Sequence, residues 1–314
     1  MIIDVSSTAE FLKNNNNFLI LVHGHPDGDT LGCGLALKEA LLTVGKTCHV
    51  CCGDPVPEKF GYMGTVDTDD FTPDTIVAVD VADTKLLGKD FEEKYGDKIN
   101  LCIDHHGSNR LYAQRTLLDS SAAAACEIIL QIIRELGVTV TKSIADCIYT
   151  GLSTDTGCFR YSNVTPRTMR MAADMIEAGA ENAKINTIMF ETKTKTYVAL
   201  ERLALEGMKM YFDDKCAFIT ITREMFRKTG SDESEVDAIA ALPRQIEGVL
   251  VGITMREKPD GTYKVSMRSG ESVDVSEICA EMDGGGHPRA AGCSVKGSLE
   301  QATQTVLDNV KKFI

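Results

Sequence analysis

Unbroken apolar runs and stretches of helical period take turns along the first half of the chain. Phe18 to Val22 is an apolar run of strand length, and Leu31 to Val44 carries apolar residues at helical spacing up to Gly45. Thr47 to Cys51, Thr75 to Val79 and Asn100 to Ile103 read as further strands. This alternation predicts a parallel sheet covered by helices. Open sheets of that kind bind ligands beyond the carboxyl ends of their strands. His23, Asp80 and Asp104 each follow the apolar part of such a run.

From 120 to 208 the pattern is mostly helical. Ser120-Ser121 predicts the cap of a helix that Gly137 stops, Thr141 opens another reaching Asp155, and Thr165-Pro166 starts a third that ends near Gly179. Thr194 to Met208 reads as a helical connector. Beyond it, strands are predicted at Lys215 to Ile221, Val249 to Glu257 and Thr262 to Arg268, with Pro259-Asp260-Gly261 as the hairpin turn between the last two. A helix over Val275 to Met282, a short strand near Cys293 and a helix from Leu299 to Phe313 complete the pattern. The predicted organisation is an α/β domain over 1–193, a helical connector over 194–211 and a smaller α/β domain over 212–314.

Composition narrows the function classes. The formal charge of -13 over 314 residues argues against wrapping long nucleic acid, which needs many Lys and Arg contacts to phosphates, but leaves room for a short nucleotide at a local site. No run of eighteen apolar residues is present, so no membrane span is expected. Met1-Ile2-Ile3-Asp4 is not a basic region followed by an apolar one, and the expectation is a cytoplasmic protein. The eleven cysteines are then expected to be reduced and mostly buried. Cys48-His49-Val50-Cys51 is a lone CxxC without a second pair at finger spacing, and reads as strand. The sequence leaves a homodimer open.

The candidate chemistry is concentrated in His23-Gly24-His25-Pro26-Asp27-Gly28-Asp29 and in Asp104-His105-His106. Carboxylates and imidazoles gathered at strand ends suit a pair of divalent metals, and a metal pair suggests attack of an activated water on phosphorus. Pro26 stiffens the first loop, and the helix N-terminus after Gly28 adds a positive dipole. Asp80 ends an apolar strand, where a buried carboxylate is costly unless paired or coordinated. Asp155 lies in a Thr-Asp-Thr-Gly cluster after a helix. Each residue alone has a duller explanation as a turn cap or a hydrogen-bonded side chain. Their conjunction favours the metal reading: five of the six histidines fall in motif-like clusters, four in these two segments and His287 in a later glycine-rich one.

With these motifs in this order, the chain resembles the DHH phosphoesterase superfamily, named for the triplet Asp104-His105-His106. Gly284-Gly285-Gly286-His287-Pro288-Arg289-Ala290-Ala291-Gly292 resembles the glycine-rich signature of the DHH-associated domain, and Thr156-Gly157-Cys158-Phe159-Arg160-Tyr161-Ser162 resembles the nanoRNase and phosphoadenosine-phosphate phosphatase branch. His25 and Cys33 depart from the pattern, where many relatives carry Asn and a hydroxyl residue. The resemblance implies a catalytic metal-binding first domain and a substrate-binding last domain. It implies two Mn²⁺ ions, with Mg²⁺ or Co²⁺ as substitutes, one held by His23, Asp27 and Asp80 and the other by Asp29, Asp80, His105 and Asp155. Asp80 would then be both bridging ligand and catalytic residue. Asp104 would orient its neighbours, and His106 would either face the substrate phosphate or help protonate the leaving oxygen.

The implied activity is hydrolysis of short oligoribonucleotides to nucleoside monophosphates, and of 3′-phosphoadenosine 5′-phosphate to AMP. Arg268, Gly285, Gly286 and His287 are the expected substrate contacts, with Arg289, Arg110 and Arg160 as further candidates. Arg289 also fits a solvated charge, and Phe159 or Tyr161 fits either base stacking or core packing. A short substrate would reach from the metals to the second domain. The alternatives are a cyclic dinucleotide or linear pApA/pGpG phosphodiesterase and, in another class, a nucleotide sensor without turnover.

Overall fold

The apolar runs become adjacent strands: every position of β1 (Phe18–Val22) and β3 (Thr75–Val79) is buried. Strands without polar alternation need cover on both faces, the usual condition of a parallel sheet. The computed structural model describes residues 1–68 and 70–314, and the chain divides into two units, Met1–Thr192 and Lys193–Ile314. In the first unit, β1 and β3 join β2 (Cys48–Cys52), β4 (Leu101–Asp104) and β5 (Arg115–Leu118) in the order β2-β1-β3-β4-β5, all parallel. The chain goes one way from β1 to β2 and the other way from β1 to β3. The carboxyl ends of β1 and β3 therefore flank the switch point, where such sheets place their ligands.

The helices of this unit are α1 (Val5–Asn14), α2 (Gly28–Thr43), α3 (Lys89–Tyr95), α4 (Ala125–Glu135), α5 (Lys142–Asp155), α6 (Pro166–Glu177) and α7 (Asn182–Asn186). α2 is buried on nearly all sides over its first ten residues, since it lies between the sheet and the α4–α5 layer. That explains its lack of a polar face. One core cluster joins Ile20, Val22, Leu37, Val79, Ile129 and Ile148 on this side, and a smaller one joins Leu19, Leu21, Ala78 and Tyr95 on the other.

The second unit contains α8 (Lys195–Glu206), β6 (Lys209–Tyr211), β7 (Cys216–Ile221), α9 (Arg223–Thr229), α10 (Val236–Ile239), β8 (Val251–Glu257), β9 (Tyr263–Ser269), α11 (Val275–Ala280), β10 (Gly285–His287), β11 (Ala290–Val295) and α12 (Leu299–Val310). Its sheet has the order β10-β11-β9-β8-β7-β6, and only β7 and β8 run parallel. Along β9, Tyr263, Val265 and Met267 face the core under α11 and α12, while Lys264, Ser266 and Arg268 alternate outward. Tyr197, Leu200, Phe226 and Ile239, from α8, α9 and α10, pack on the opposite face against Ile219 and Ile221 of β7.

The mixed α/β architecture follows the sequence pattern, with instructive differences. The helix expected from a cap at Ser120-Ser121 starts instead at Ala125, and its N-cap, Ala124, has no side-chain acceptor. The Asp29 carboxylate of α2 takes that role, accepting from the amides of Ala125 at 2.6 Å and Cys126 at 2.9 Å. A cap supplied from 96 residues away leaves no local signal. Strand β5, α1, α7, β6 and α9 also lie outside the predicted elements. The helix expected as a connector packs within the second unit, against Ile219 and Phe226.

Candidate active site

Four chain segments converge beyond the carboxyl ends of β1, β3 and β4. His23 follows β1 directly. Its Nδ1 lies 2.7 Å from the Gly24 carbonyl, which can only accept, so Nδ1 carries the proton and, in the neutral ring, Nε2 offers the lone pair. Asp27 caps α2, accepting from the amides of Asp29 and Thr30 at 3.0 Å each, and this fixes its carboxylate beside His23. Asp80 follows β3 in the left-handed region at φ 58°, with its amide tied to the Ile103 carbonyl at 2.8 Å. A non-glycine residue held there at a strand end marks a constrained position. His105 repeats the pattern of His23: its Nδ1 faces the Ala122 carbonyl at 3.1 Å, which selects the tautomer that offers the Nε2 lone pair.

These lone pairs and carboxylates face one another at separations too long for hydrogen bonds. His23 Nε2 is 3.7 Å from both Asp27 Oδ1 and Asp80 Oδ2. His105 Nε2 is 3.6 Å from Asp80 Oδ1, 3.4 Å from Asp155 Oδ2 and 4.0 Å from Asp29 Oδ2. Asp80 Oδ1 and His105 Nε2 are both buried without any hydrogen-bond partner. Buried polar atoms in native proteins are rarely left so. Two atoms each about 2.1 Å from one cation lie roughly 3–3.5 Å apart at tetrahedral or octahedral angles. The donors stand at that spacing or a little beyond it, too far apart for direct hydrogen bonds and close enough to converge on shared cations. His23, Asp27 and Asp80 form one such group and Asp29, His105 and Asp155 another, with Asp80 adjoining both through His105.

The electrostatics agree. Burial, then the charges of Asp29, Asp27, Asp155 and Asp104, push the Asp80 carboxyl far above the usual aspartate range. Burial, then Asp29 and Asp27, push Asp155 up to about 9. Carboxylates packed this way resist ionisation unless a cation offsets them, and a divalent ion reverses that balance. Asp104 behaves differently. Burial opposes its charge, yet hydrogen bonds from His106 and Asn109 hold its carboxyl below the usual range. Its Oδ1 accepts from His106 Nδ1 at 2.8 Å and from the His105 amide at 2.8 Å, and its Oδ2 accepts from Asn109 Nδ2 at 2.6 Å. The hydrogen bond to Asp104 raises the His106 pKa, burial notwithstanding.

Comparison with known proteins decides the family. The sequence pattern of the DHH family, N-terminal domain, matches residues 17–152, and that of the DHHA1 domain matches residues 214–314. Across 313 residues the chain is 33% identical to the bifunctional oligoribonuclease and PAP phosphatase NrnA of Thermus thermophilus, covering 97% of this chain and 92% of that protein. The chain belongs to the DHH superfamily, in its NrnA-like branch. The NrnA of Bacillus subtilis is 26% identical over 298 residues, 92% of this chain and 93% of that protein. An exopolyphosphatase-related protein from Bacteroides fragilis shares the fold, with a TM-score of 0.89 at 23% identity over 98% of this chain and 96% of that one. As a member of this superfamily the chain is a hydrolase acting on phosphoester bonds.

In this DHH chain the six expected ligands, His23, Asp27, Asp29, Asp80, His105 and Asp155, come together around one centre, with His106 beside Asp80 at 3.4 Å. Arg110 lies in the same unit but pairs with Asp83 at 3.5 Å, and Arg160 donates to the Gly157 carbonyl at 2.5 Å. In the second unit, Gly285, Gly286 and His287 are the exposed strand β10, paired with β11. Gly286 needs its missing side chain: at φ 147°, a Cβ would fall 2.6 Å from the Ala290 carbonyl oxygen. Gly285 faces open space. Arg268 donates to its neighbour's Met267 carbonyl at 3.0 Å, and the exposed Arg289 donates to the Val273 carbonyl at 2.6 Å. The departures from the family pattern are placed too. The side chain of His25 is 98% exposed, while its amide is held by Asp54 at 2.9 Å. Cys33 is buried 3.5 Å from Cys126 Sγ, behind Asp29.

Three supporting residues went unread in the sequence. Asn109 anchors Asp104. Asn163 bonds the carbonyls of Ala123 and Asp155 at 3.1 Å each, and Asp54 holds the first loop. A lone Asn or Asp in a turn carries no pattern that separates such roles from ordinary capping.

Proposed function

We propose that this hydrolase is metal-dependent and cleaves short oligoribonucleotides to nucleoside monophosphates, and 3′-phosphoadenosine 5′-phosphate to AMP. The observation carrying the metal reading is the pair of orphaned, converging atoms, Asp80 Oδ1 and His105 Nε2. The substrate class is supported by the likeness to proteins named oligoribonuclease and PAP phosphatase. His23, Asp27 and Asp80 would hold one ion, and Asp29, Asp80, His105 and Asp155 the other. The mixture of carboxylate oxygens and imidazole nitrogens suits Mn²⁺, with Mg²⁺ or Co²⁺ as substitutes. Bound there, such ions lower the pKa of water and offset charge on phosphoryl oxygens.

The residues supply the rest. The backbone carbonyls of Gly24 and Ala122 fix both ligand imidazoles in the tautomer that offers Nε2. Asp104 keeps the proton of His106 on Nδ1 and favours the imidazolium, whose Nε2–H is then a donor. As water oxygen bonds to phosphorus and the P–O bond to the ribose breaks, His106 passes that proton to the departing oxygen, and the proton given up by the water restores the imidazolium. Arg268, Gly285, Gly286, His287 and Arg289 of the second unit are proposed as substrate contacts.

The test is a panel of di- to pentanucleotides and 3′-phosphoadenosine 5′-phosphate, with purified protein, Mn²⁺ and an EDTA control. Mononucleotide release that needs the metal and disappears in Asp80→Ala supports the proposal. Full activity in EDTA, or a preference for long strands, refutes it.

A further inference from the structure

On the outer face of the second unit's sheet, the helical cover ends over β8. Its last piece is a single turn, Leu242–Gln245. The backbone of that turn crosses β8 so closely that a Cβ on Gly252 would lie 2.4 Å from the Arg244 nitrogen. The Arg244 side chain then lies over Gly270, where a Cβ would meet its Nη2 at 3.4 Å and its Cζ and Nε at 3.8 Å. Three guanidinium atoms at similar range put the face of the group over that glycine. Both glycines make room for this arginine.

Register places Arg244 beside Arg268. Gly252 pairs with Arg268, so both project to one face, and Gly270 lies two residues on, roughly 7 Å along the same side. Arg268 pairs with Ala290, and Ala290 with His287. Arg244, Arg268 and His287 thus share one face, with Ala290 and the open Gly285 nearby. On the same face of β8, Arg256 has its counter-charge, Glu233 at 3.1 Å. Arg244 has no carboxylate partner among the described residues, and its Nε is buried without an acceptor.

We propose that Arg244 joins Arg268 in binding a terminal phosphomonoester, the 5′-phosphate of a short oligonucleotide, and that Arg244 selects a phosphorylated end over an unphosphorylated one. This rests on the reading of the chain as a hydrolase of short nucleotides. A phosphomonoester carries about -1.5 to -2 charges near neutral pH and three free oxygens, against a single charge on an internal diester. Two guanidinium forks without a carboxylate partner among the described residues match that dianion. The small residues around them leave phosphate oxygens a close approach.

The test measures equilibrium binding of a fluorescent diadenosine dinucleotide, with and without a 5′-phosphate, in EDTA, so that metal ligation contributes nothing. Wild type should bind the phosphorylated form more tightly. Arg244→Gln should weaken that form alone by about 10- to 100-fold, the loss of a charged hydrogen-bond pair. Arg244→Lys, which keeps the charge and loses the fork, should fall between, and it decides the matter if the Gln variant does not fold by circular dichroism. The proposal is overturned if wild type does not discriminate, if the folded variants keep full discrimination, or if both ligands weaken equally. Hydrolysis of the same dinucleotides with Mn²⁺ is scored separately. Absent hydrolysis with intact discrimination sinks the hydrolase reading alone, and hydrolysis without discrimination sinks this one alone.

Discussion

Replacing Asp80 with Asn should make the metal-free protein more stable while disabling it. Asp80 is 2% exposed and shares its site with four other carboxylates. Oxygens of Asp27 and Asp80 lie within 4.8 Å of one another. Two unit charges at that distance repel by about 3.5 kcal/mol at an effective dielectric of 20. Solvent at the half-exposed Asp27 reduces this to about 1–2 kcal/mol. Asp29, Asp155 and burial add to it. The total is capped near 4 kcal/mol at pH 7, because the wild type can take up a proton instead, and protonating an ordinary aspartate there costs about that much. Asn tolerates the left-handed backbone at this position, and its amide can donate to the surrounding carboxylates. The expected gain is therefore about 1–4 kcal/mol in EDTA, or roughly 3–10 °C for a unit of this size. In Mn²⁺ the order should reverse. Wild type gains about 2.7 kcal/mol at a hundredfold excess over Kd, and the variant gains little. Paired melts with EDTA and Mn²⁺ read this crossover. Lower stability of Asp80→Asn in EDTA, or an undiminished Mn²⁺ gain, would refute the view of Asp80 as a charge held in place for cations.

Asn109→Ala removes the 2.6 Å donor to Asp104; turnover should fall about 10- to 100-fold with metal content by elemental analysis unchanged, and metal loss would mean that Asn109 supports the ligands themselves. Asp155 has a folded pKa near 9, above its unfolded value, so the metal-free native state holds a proton that the unfolded chain releases. Its stabilising contribution is complete below about pH 4 and declines as pH rises towards 9; denaturant melts in EDTA should show that decline, and Asp155→Asn should flatten it. Gly286→Ala meets both an unfavourable φ of 147° and a carbonyl at 2.6 Å, so the second unit should lose about 1–3 kcal/mol, read from its unfolding midpoint, and an unchanged midpoint would count against the described geometry.

The parallel sheet was legible because β1 and β3 are apolar without alternation, a pattern that only two-sided cover explains. The ligand residues were legible because their chemistry clusters at strand ends, where the switch point between β1 and β3 puts a site. Strand β5 was not, since its four residues begin and end on half-exposed positions and resemble a loop. Nor was Arg244, whose place depends on a register between β8 and β9 and on two glycines that read locally as ordinary strand or turn residues.

The most informative failure concerns Asp29. In the sequence Asp29 reads as a metal ligand beside a helix start with no capping role, and Ser120-Ser121 reads as the cap of the next helix. In the fold, Asp29 accepts from the first amides of α4 while its Oδ2 stands 4.0 Å from His105 Nε2. The loop before α4 supplies the Ala122 carbonyl that orients His105, and Asn163 ties that loop to Asp155. One carboxylate thus anchors the element that positions its neighbours in the site. An α4 with its own serine cap would fold equally well by local rules, but the start of α4, and with it the loop carrying Ala122, would lose its hydrogen bonds to the Asp29 carboxylate on α2. Helix capping thus helps to place the Ala122 carbonyl, and so His105, relative to Asp29 before any cation binds, while the packing of α5 on α2 places Asp155.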